Sequence, residues 1–380
     1  MRRFLIGCFK LFLNIIYAPI KLFPVGKKIV FISRQGHEPG LDFCMISDKL
    51  EKEYPDYKLI MLCSKMPSSI LALHRYFWHM CKQLWHLTTS KVCVLDSYCI
   101  AVSVLKLRKS LKVLQIWHAL GAFKKFGWSA VDMPEGSSRE IAEQMNMHRG
   151  YTAVICSGRD CAEPFAEAFN TDKSKVLPIG LPRMDYLVDE EISAQNRRQI
   201  FSRYPSLGNG KKNILYAPTF RKSKRIDYNM DNACKAVSLA IDKSRFNLII
   251  KTHSGAERII TQNGEETGHD FLGLQFFSVA DYVISDYSSI IYEAAIAQKP
   301  IYLYAFDADE YLSTRGFYLD FWRDIPAVIS KDIKDIAAAI NKNDQIEQDK
   351  VKAFTDKYLT NPDGKITDRL CDLIILLANN

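Results

Sequence analysis

Along the chain, short apolar runs rich in Val, Ile and Leu alternate with stretches whose apolar positions return at helical spacing. In the first half the runs are KKIVFIS from Lys27, KLIMLC from Lys58, KVCVLD from Lys91, LKVLQIWH from Leu111, AVICSG from Ala153 and KVLPIG from Lys175. The second half continues with NILYAPTF from Asn213, NLIIKTH from Asn247, DYVISDYS from Asp281 and PIYLYAF from Pro300. Strands separated by helices predict an α/β protein built on parallel sheets. Between the halves, residues 189–212 are polar and hold Pro205, Gly208, Asn209 and Gly210, which predicts a linker there. The expected organisation is an N-terminal segment over 1–26, domains over 27–188 and 213–365, and a helix over 366–380.

Length and composition agree with this division. A chain of 380 residues suits about two domains, and a 48% hydrophobic content is that of a folded protein. The ten cysteines are scattered without a CxxC pair or a metal-ligand spacing, so they read as buried thiols in a reducing compartment, with no metal site.

Charge adds a feature that the periodicity does not carry. The net charge is +8, and from Met1 to His37 the basic residues Arg2, Arg3, Lys10, Lys21, Lys27, Lys28 and Arg34 occur without an acidic one, among Phe4, Leu5, Ile6, Phe9, Leu11 and Phe12. That is the composition of a segment lying on an anionic bilayer, which predicts peripheral attachment at the cytoplasmic face of the cell membrane. Lys10 and Lys21 leave too short an apolar run for a spanning helix. No small-x-small site follows that would mark a cleaved signal peptide. The remaining alternative is a helix that packs on its own domain. Interleaved basic and aromatic residues also suit single strands of nucleic acid, but no nucleic-acid motif accompanies them.

Ligands of open parallel sheets bind beyond the carboxyl ends of the strands, and His118, His253 and Asp286 all fall at such ends. Two Rossmann-like doubly wound domains facing across a cleft, each offering strand-end residues, is the arrangement of GT-B transferases. After Asp286, Ser288 and Ser289 precede an apolar run from Ile290, where free backbone N–H groups and two hydroxyls suit a pyrophosphate. The alternative is that one of these serines is simply an N-cap.

Six ordered strings, WHALGAFKKFG from Trp117, GLPRMD from Gly180, LYAPTFR from Leu215, KTH from Lys251, SDYSSIIYEAA from Ser285 and DADEYLSTRGFYLD from Asp307, together resemble the CDP-glycerol glycerophosphotransferase family, the teichoic acid primases and polymerases and similar capsule enzymes. The resemblance runs from Lys27 to Asp320. It implies transfer of a polyol phosphate, glycerol phosphate first and ribitol phosphate as the alternative, from a CDP-activated donor to a hydroxyl of an undecaprenyl-linked saccharide or a polyol-phosphate acceptor, with release of CMP. The other readings are a GT-B glycosyltransferase using a nucleotide sugar, and a catalytically silent membrane-associated protein.

By the same resemblance His118 is the general base and His253 stands beside the donor pyrophosphate. Imidazole suits the first role, since it titrates near neutrality. Arg183 and Arg221 are implied phosphate clamps, with a structural salt bridge as the alternative for each. Asp286 shapes the turn that carries Ser288 and Ser289, Glu293 reaches the ribose, and Asp309 and Arg315 belong to the last motif. Family members often carry Phe-Asp where this chain has Tyr292 and Glu293, a longer carboxylate. Gly121, Lys124 and Lys125 are placed on the acceptor side, where solvated surface lysines are the alternative. The triplet Asp307 to Asp309 superficially resembles a metal-binding DxD and is read as a loop element instead. The short form of WHALGAFKKFG is similar to that of primases, which add one or a few units.

Overall fold

A computed structural model describes residues 2–66, 70–219, 230–251, 257–261, 264–268, 271–314, 316–344 and 346–380. The chain divides into two compact units, Met1–Arg183 with Lys365–Asn380, and Met184–Gly364.

The first unit begins with α1 (Arg2–Ile20) and continues through β1 (Lys28–Ser33), α2 (Leu41–Glu53), β2 (Lys58–Cys63), α3 (Ile70–Thr89), β3 (Val92–Leu95), α4 (Ile100–Val104), β4 (Lys112–Gln115), α5 (Arg139–Gln144), β5 (Ala153–Ile155), α6 (Ala162–Phe169) and β6 (Val176–Leu177). Its described strands form one parallel sheet in the order β2-β1-β3-β4-β5-β6. Buried runs such as VCVL in β3 are apolar throughout because helices cover both faces. The strand order reverses between β1 and β3, which is the place where a doubly wound sheet opens a crevice at its carboxyl edge.

Helix α7 (Pro182–Val188) crosses the division between the units. Where a linker is expected, the chain instead forms α8 (Glu190–Arg203) and a 3-10 turn over Pro205–Gly208. The Asp189 side chain caps α8 by accepting from the Ile192 N–H at 2.9 Å. Ile200 is buried, and Arg197 Nε donates to the Ser278 carbonyl at 2.9 Å, so α8 belongs to the second unit. The glycines and proline that suggested a linker mark the turn after this helix.

The rest of the second unit is β7 (Lys212–Tyr216), α9 (Met230–Ala240), β8 (Phe246–Lys251), β9 (Glu257–Thr261), β10 (Gly264–Gly268), β11 (Tyr282–Ser285), α10 (Ile290–Ile296), β12 (Ile301–Tyr304), α11 (Ala308–Thr314), β13 (Val328–Ser330), α12 (Ile333–Lys342) and α13 (Gln348–Tyr358). Its described strands run in the order β10-β9-β8-β7-β11-β12-β13, parallel except that β9 pairs antiparallel with β8 and with β10. The β9–β10 hairpin at the edge is an addition to the strands expected from the sequence.

Helix α14 (Ile366–Asn379) returns to the first unit and packs on α2. Leu370, Cys371 and Ile374 are buried in that seam, and Lys49 Nζ lies 2.7 Å from Glu53 and 2.8 Å from Asp368 at its edge. The C-terminal helix therefore completes the core of a domain that begins more than three hundred residues earlier.

Helix α1 packs on α3 and α5, and it does so with its polar side. Lys10 Nζ donates to the Gln144 carbonyl at 2.8 Å, Asn14 Nδ2 donates to the Val104 carbonyl at 3.1 Å, and Asn14 Oδ1 accepts from the Lys106 N–H at 2.8 Å. Lys21 Nζ reaches the Lys106 carbonyl, and Leu13 and Tyr17 are buried on the same side. The outward face is apolar, with Phe4, Leu11, Phe12 (55% exposed) and Ile15 (61%). Phe77 and Trp78 (64% exposed) on α3 are also exposed, and Phe23 meets Trp85 edge to face at 4.9 Å. The helix thus packs on its own domain, as the alternative reading of this segment has it. Two of the lysines of α1 and its C-terminal turn are bound to main-chain carbonyls of the same unit, and the hydrocarbon side is the free one. Among the described residues no helix is long and apolar enough to cross a membrane.

Because Leu370 is fully buried in the α2–α14 seam, Leu370→Ala is expected to cost about 2–5 kcal/mol of stability. A urea titration that returned an unchanged midpoint would show that α14 is not part of the cooperative core.

Candidate active site

The turn after β4 presents His118 at the carboxyl edge of the first sheet, and the turns after β1 and β3 supply its neighbours. The Asp96 carbonyl lies 2.8 Å from His118 Nδ1. A carbonyl can only accept, so Nδ1 carries the hydrogen and Nε2 carries the basic lone pair. The amide nitrogen of Gln35 is 3.2 Å from the same Nδ1 and finds no lone pair there. The imidazole also lies against the Trp117 ring, tilted by 37° with centroids 4.1 Å apart.

Strand-end residues that the sequence reading passed over are Asp96, Gln35 and Gln115. The Asp96 carboxyl is buried, and burial raises its pKa while hydroxyls of Ser33 and Ser97 bonded to it pull the other way. Its Oδ1 has no hydrogen-bond partner among the described residues. The strand-end rule that selected His118 applies equally to Asp96, which closes the run KVCVLD. Gln115 gave no comparable signal, since a glutamine inside a strand reads as an interruption.

The WHALGAFKKFG segment is held by packing and by backbone geometry. Trp117 adopts φ 59°, a left-handed conformation rare for an aromatic residue, and its ring stacks on Phe126 at 4.8 Å and meets Phe169 at 5.3 Å. Gly127, at φ 56°, could not accept a side chain, because a Cβ there would lie 2.2 Å from the Ala168 carbonyl oxygen. Gly121, at φ 66°, donates its N–H to Ser157 Oγ at 2.8 Å. Lys124 and Lys125 are half-buried beside it.

Arg183, an expected phosphate clamp, has its guanidinium on Asp42 in the first turn of α2. Its N–H lies 2.8 Å from Asp42 Oδ1, its Nε lies 2.9 Å from Oδ2, and its Nη2 also bonds Oδ2. A buried carboxylate needs such a cation. The salt bridge named as the alternative is thus present.

In the second unit the turns after β7 and β11 are joined by Asp286, which is fully buried. Its Oδ1 accepts from the Thr219 N–H at 2.9 Å, from Thr219 Oγ1 at 2.6 Å and from the Tyr287 N–H at 2.6 Å, and Ser285 Oγ donates to the Ala217 carbonyl at 2.7 Å. Asp286 thus holds the turn. Ser289 occupies the N-cap position of α10 without a capping bond from its side chain, and Ser288 Oγ accepts from the Ile290 N–H at 3.4 Å. Both serines are half-buried, and Glu293 is buried on α10. Asp309, with a side chain 90% exposed, pairs with Lys331 at 2.7 Å. Among the described residues no group of three His, Cys, Asp or Glu side chains could hold a metal. Arg221, His253 and Arg315 lie outside the described residues.

A family model described as CDP-Glycerol:Poly(glycerophosphate) glycerophosphotransferase matches residues 17–376. The chain is 30% identical over 353 residues to the teichoic acid ribitol-phosphate primase of Bacillus spizizenii (strain ATCC 23059 / NRRL B-14472 / W23), covering 91% of this chain and 90% of the relative. It is 26% identical over 397 residues to the teichoic acid glycerol-phosphate primase of Bacillus subtilis (strain 168), covering 98% of each. Among solved structures the wall teichoic acid polymerase TagF superposes with a TM-score of 0.74 at 22% identity, over 100% of this chain and 98% of that chain, a likeness of fold.

The buried His148 beside Trp117 yields a pH prediction. Burial takes its pKa down to about 3, whereas an unfolded histidine titrates at about 6.5. Between these values the unfolded chain binds a proton that the folded protein refuses, so stability falls as pH falls, by about 1.4 kcal/mol per unit from this residue. His148→Gln is expected to lose less urea stability than the parent between about pH 6 and about pH 4. Equal losses would remove His148 from the account.

Proposed function

The chain belongs to the CDP-glycerol:poly(glycerophosphate) glycerophosphotransferase family, and we propose that it transfers a polyol phosphate from a CDP-activated donor to a hydroxyl of a lipid-linked or polymeric teichoic acid or capsule acceptor, with His118 as general base. The observation that carries the base assignment is the 2.8 Å contact between His118 Nδ1 and the Asp96 carbonyl, which leaves Nε2 basic at the strand edge. The acceptor proton passes to Nε2, the acceptor oxygen forms a bond to the phosphorus bearing the polyol, and the bond from that phosphorus to the bridging oxygen breaks. Its electron pair leaves on CMP.

On this reading Ser288 and Ser289 face the donor phosphates and Glu293 takes the ribose. His253, Arg221 and Arg315 are assigned to the departing charge by resemblance to the family motifs. Glycerol phosphate is the donor group put first. Ribitol phosphate is a second reading, favoured by the higher identity to the ribitol-phosphate primase. Transfer of one or a few units is assigned from the short form of WHALGAFKKFG.

The acceptor is placed at an anionic membrane surface, on the cytoplasmic side, reached through α1 and the aromatic residues of α3. An apolar face turned outward while the polar face is bonded to the protein needs a nonpolar cover. Trp and Phe side chains suit the headgroup boundary, and a net charge of +8 draws the protein to acidic lipid.

Incubation of the purified protein with CDP-glycerol or CDP-ribitol and an undecaprenyl-linked disaccharide is expected to yield a product heavier by a polyol phosphate. His118→Ala should slow its formation by about 10²–10⁴-fold. Consumption of a nucleotide sugar instead of either CDP-polyol would overturn the phosphotransferase reading, and an active His118→Ala would overturn the base. For the membrane, replacing Phe12 and Ile15 together by Asp should weaken co-sedimentation with anionic vesicles at moderate salt at least about tenfold. Undiminished sedimentation would show that α1 is not the anchor.

A further inference from the structure

His118 Nδ1 bonds to a main-chain carbonyl, so the direction of its lone pair depends on how two backbone turns are placed relative to each other. One turn follows β3 and carries the Asp96 carbonyl; the other follows β4 and carries the imidazole. Gln115, the last residue of β4, bonds to both. Its Oε1 accepts from the Trp117 N–H at 2.9 Å, and its Nε2 donates to the Ser97 carbonyl at 3.1 Å. The same Nε2 lies 3.2 Å from the Tyr151 hydroxyl, which in turn lies 2.9 Å from His148 Nδ1.

The donor and acceptor roles close without conflict. Ser97 offers a carbonyl, which fixes the amide of Gln115 with its nitrogen toward β3. Tyr151 accepts from that nitrogen and donates to His148, which is neutral because burial holds its pKa at about 3. Gln115 is fully buried, so each of these groups would lose a partner that water cannot replace. The bond to Trp117 has a further weight. Trp117 sits at φ 59°, a left-handed conformation that a non-glycine residue adopts only when its surroundings hold it there. It immediately precedes the base.

We infer that Gln115 is a positioning residue for the transfer: it ties the Ser97 turn to the Trp117 turn and thereby aims His118 Nδ1 at the Asp96 carbonyl and Nε2 at the acceptor hydroxyl. This rests on His118 being the base, and the test separates the two claims.

The test is Gln115→Glu, which keeps the shape and an acceptor for the Trp117 N–H but sets a carboxylate oxygen against the Ser97 carbonyl. Gln115→Leu and His118→Ala are made alongside. Steady-state kcat and KM are measured with CDP-polyol, and the His118 tautomer is read from ¹⁵N chemical shifts of histidine-labelled protein, the signal being assigned by its loss in His118→Ala. In the parent protein the hydrogen is expected on Nδ1. In Gln115→Glu kcat should fall about 10²-fold, with donor KM changed by less than about twofold, and the Nδ1-protonated signal should give way to a mixture of tautomers.

A purely structural role would lower the amount of folded protein and leave the tautomer and kcat per folded molecule as they were, and that result overturns the inference. An Nε2-protonated His118 in the parent overturns it as well, with no need for the variants to fold. If His118→Ala retains activity, the base assignment falls, and the tautomer measurement still decides whether Gln115 orients the ring.

Discussion

A strand covered by helices on both faces has no solvent for a polar side chain along its length, and this constraint arranges the molecule. In β1, β3, β11 and β12 the buried positions are almost wholly apolar, and the groups with chemistry gather where the strands stop: Ser33, Asp96, His118 and Asp286. Some buried polar residues inside strands are bonded at both ends of the side chain. Gln115 is one. Asn213 and Asn247, at the starts of β7 and β8, are others, with Asn213 Nδ2 donating to the carbonyls of Leu207 and Val279 and Asn247 Nδ2 donating to Asn213 Oδ1. Such networks stitch loops to a sheet, at its carboxyl edge in the first unit and at its amino edge in the second.

Each unit spends a buried side chain on joining two neighbouring strand ends, and the two cases differ in what they leave for a ligand. Asp286 turns inward and consumes its carboxylate on Thr219 and Tyr287, so the half-buried serines after it form the surface of that turn. Gln115 does the corresponding work in the first unit and leaves His118 at the edge with one ring nitrogen committed to Asp96. Rigid backbone turns braced from beneath are the usual way to hold a reacting group in place.

Helix α1 follows a different constraint. Its Lys10 and Asn14 find main-chain carbonyls on the first unit, and Phe4, Phe9, Phe12 and Ile15 face away. Lysine ammonium groups bonded to carbonyls at 2.8 Å are better satisfied than they would be in a hydrocarbon layer, so the helix presents to its surroundings the side that water disfavours.

The sequence by itself determined the α/β class, most of the strands, the two-part division and the strand ends where chemistry collects, because each is written in local periodicity and in the turn residues that follow. His118 and Asp286 were legible for that reason, and the ordered motifs made the family legible. Tertiary structure alone decided which polar groups meet. His118 and Asp96 are 22 residues apart, and Arg183 and Asp42 are 141 apart, so whether an arginine clamps phosphate or closes a buried ion pair depends on what the fold brings beside it. The same holds for α14, whose apolar stripe is plain in the sequence but whose partner is α2, and for α1, whose amphipathy was visible while the side that faces the protein was not. Periodicity specifies that a face will be buried; only the packed neighbours specify against what.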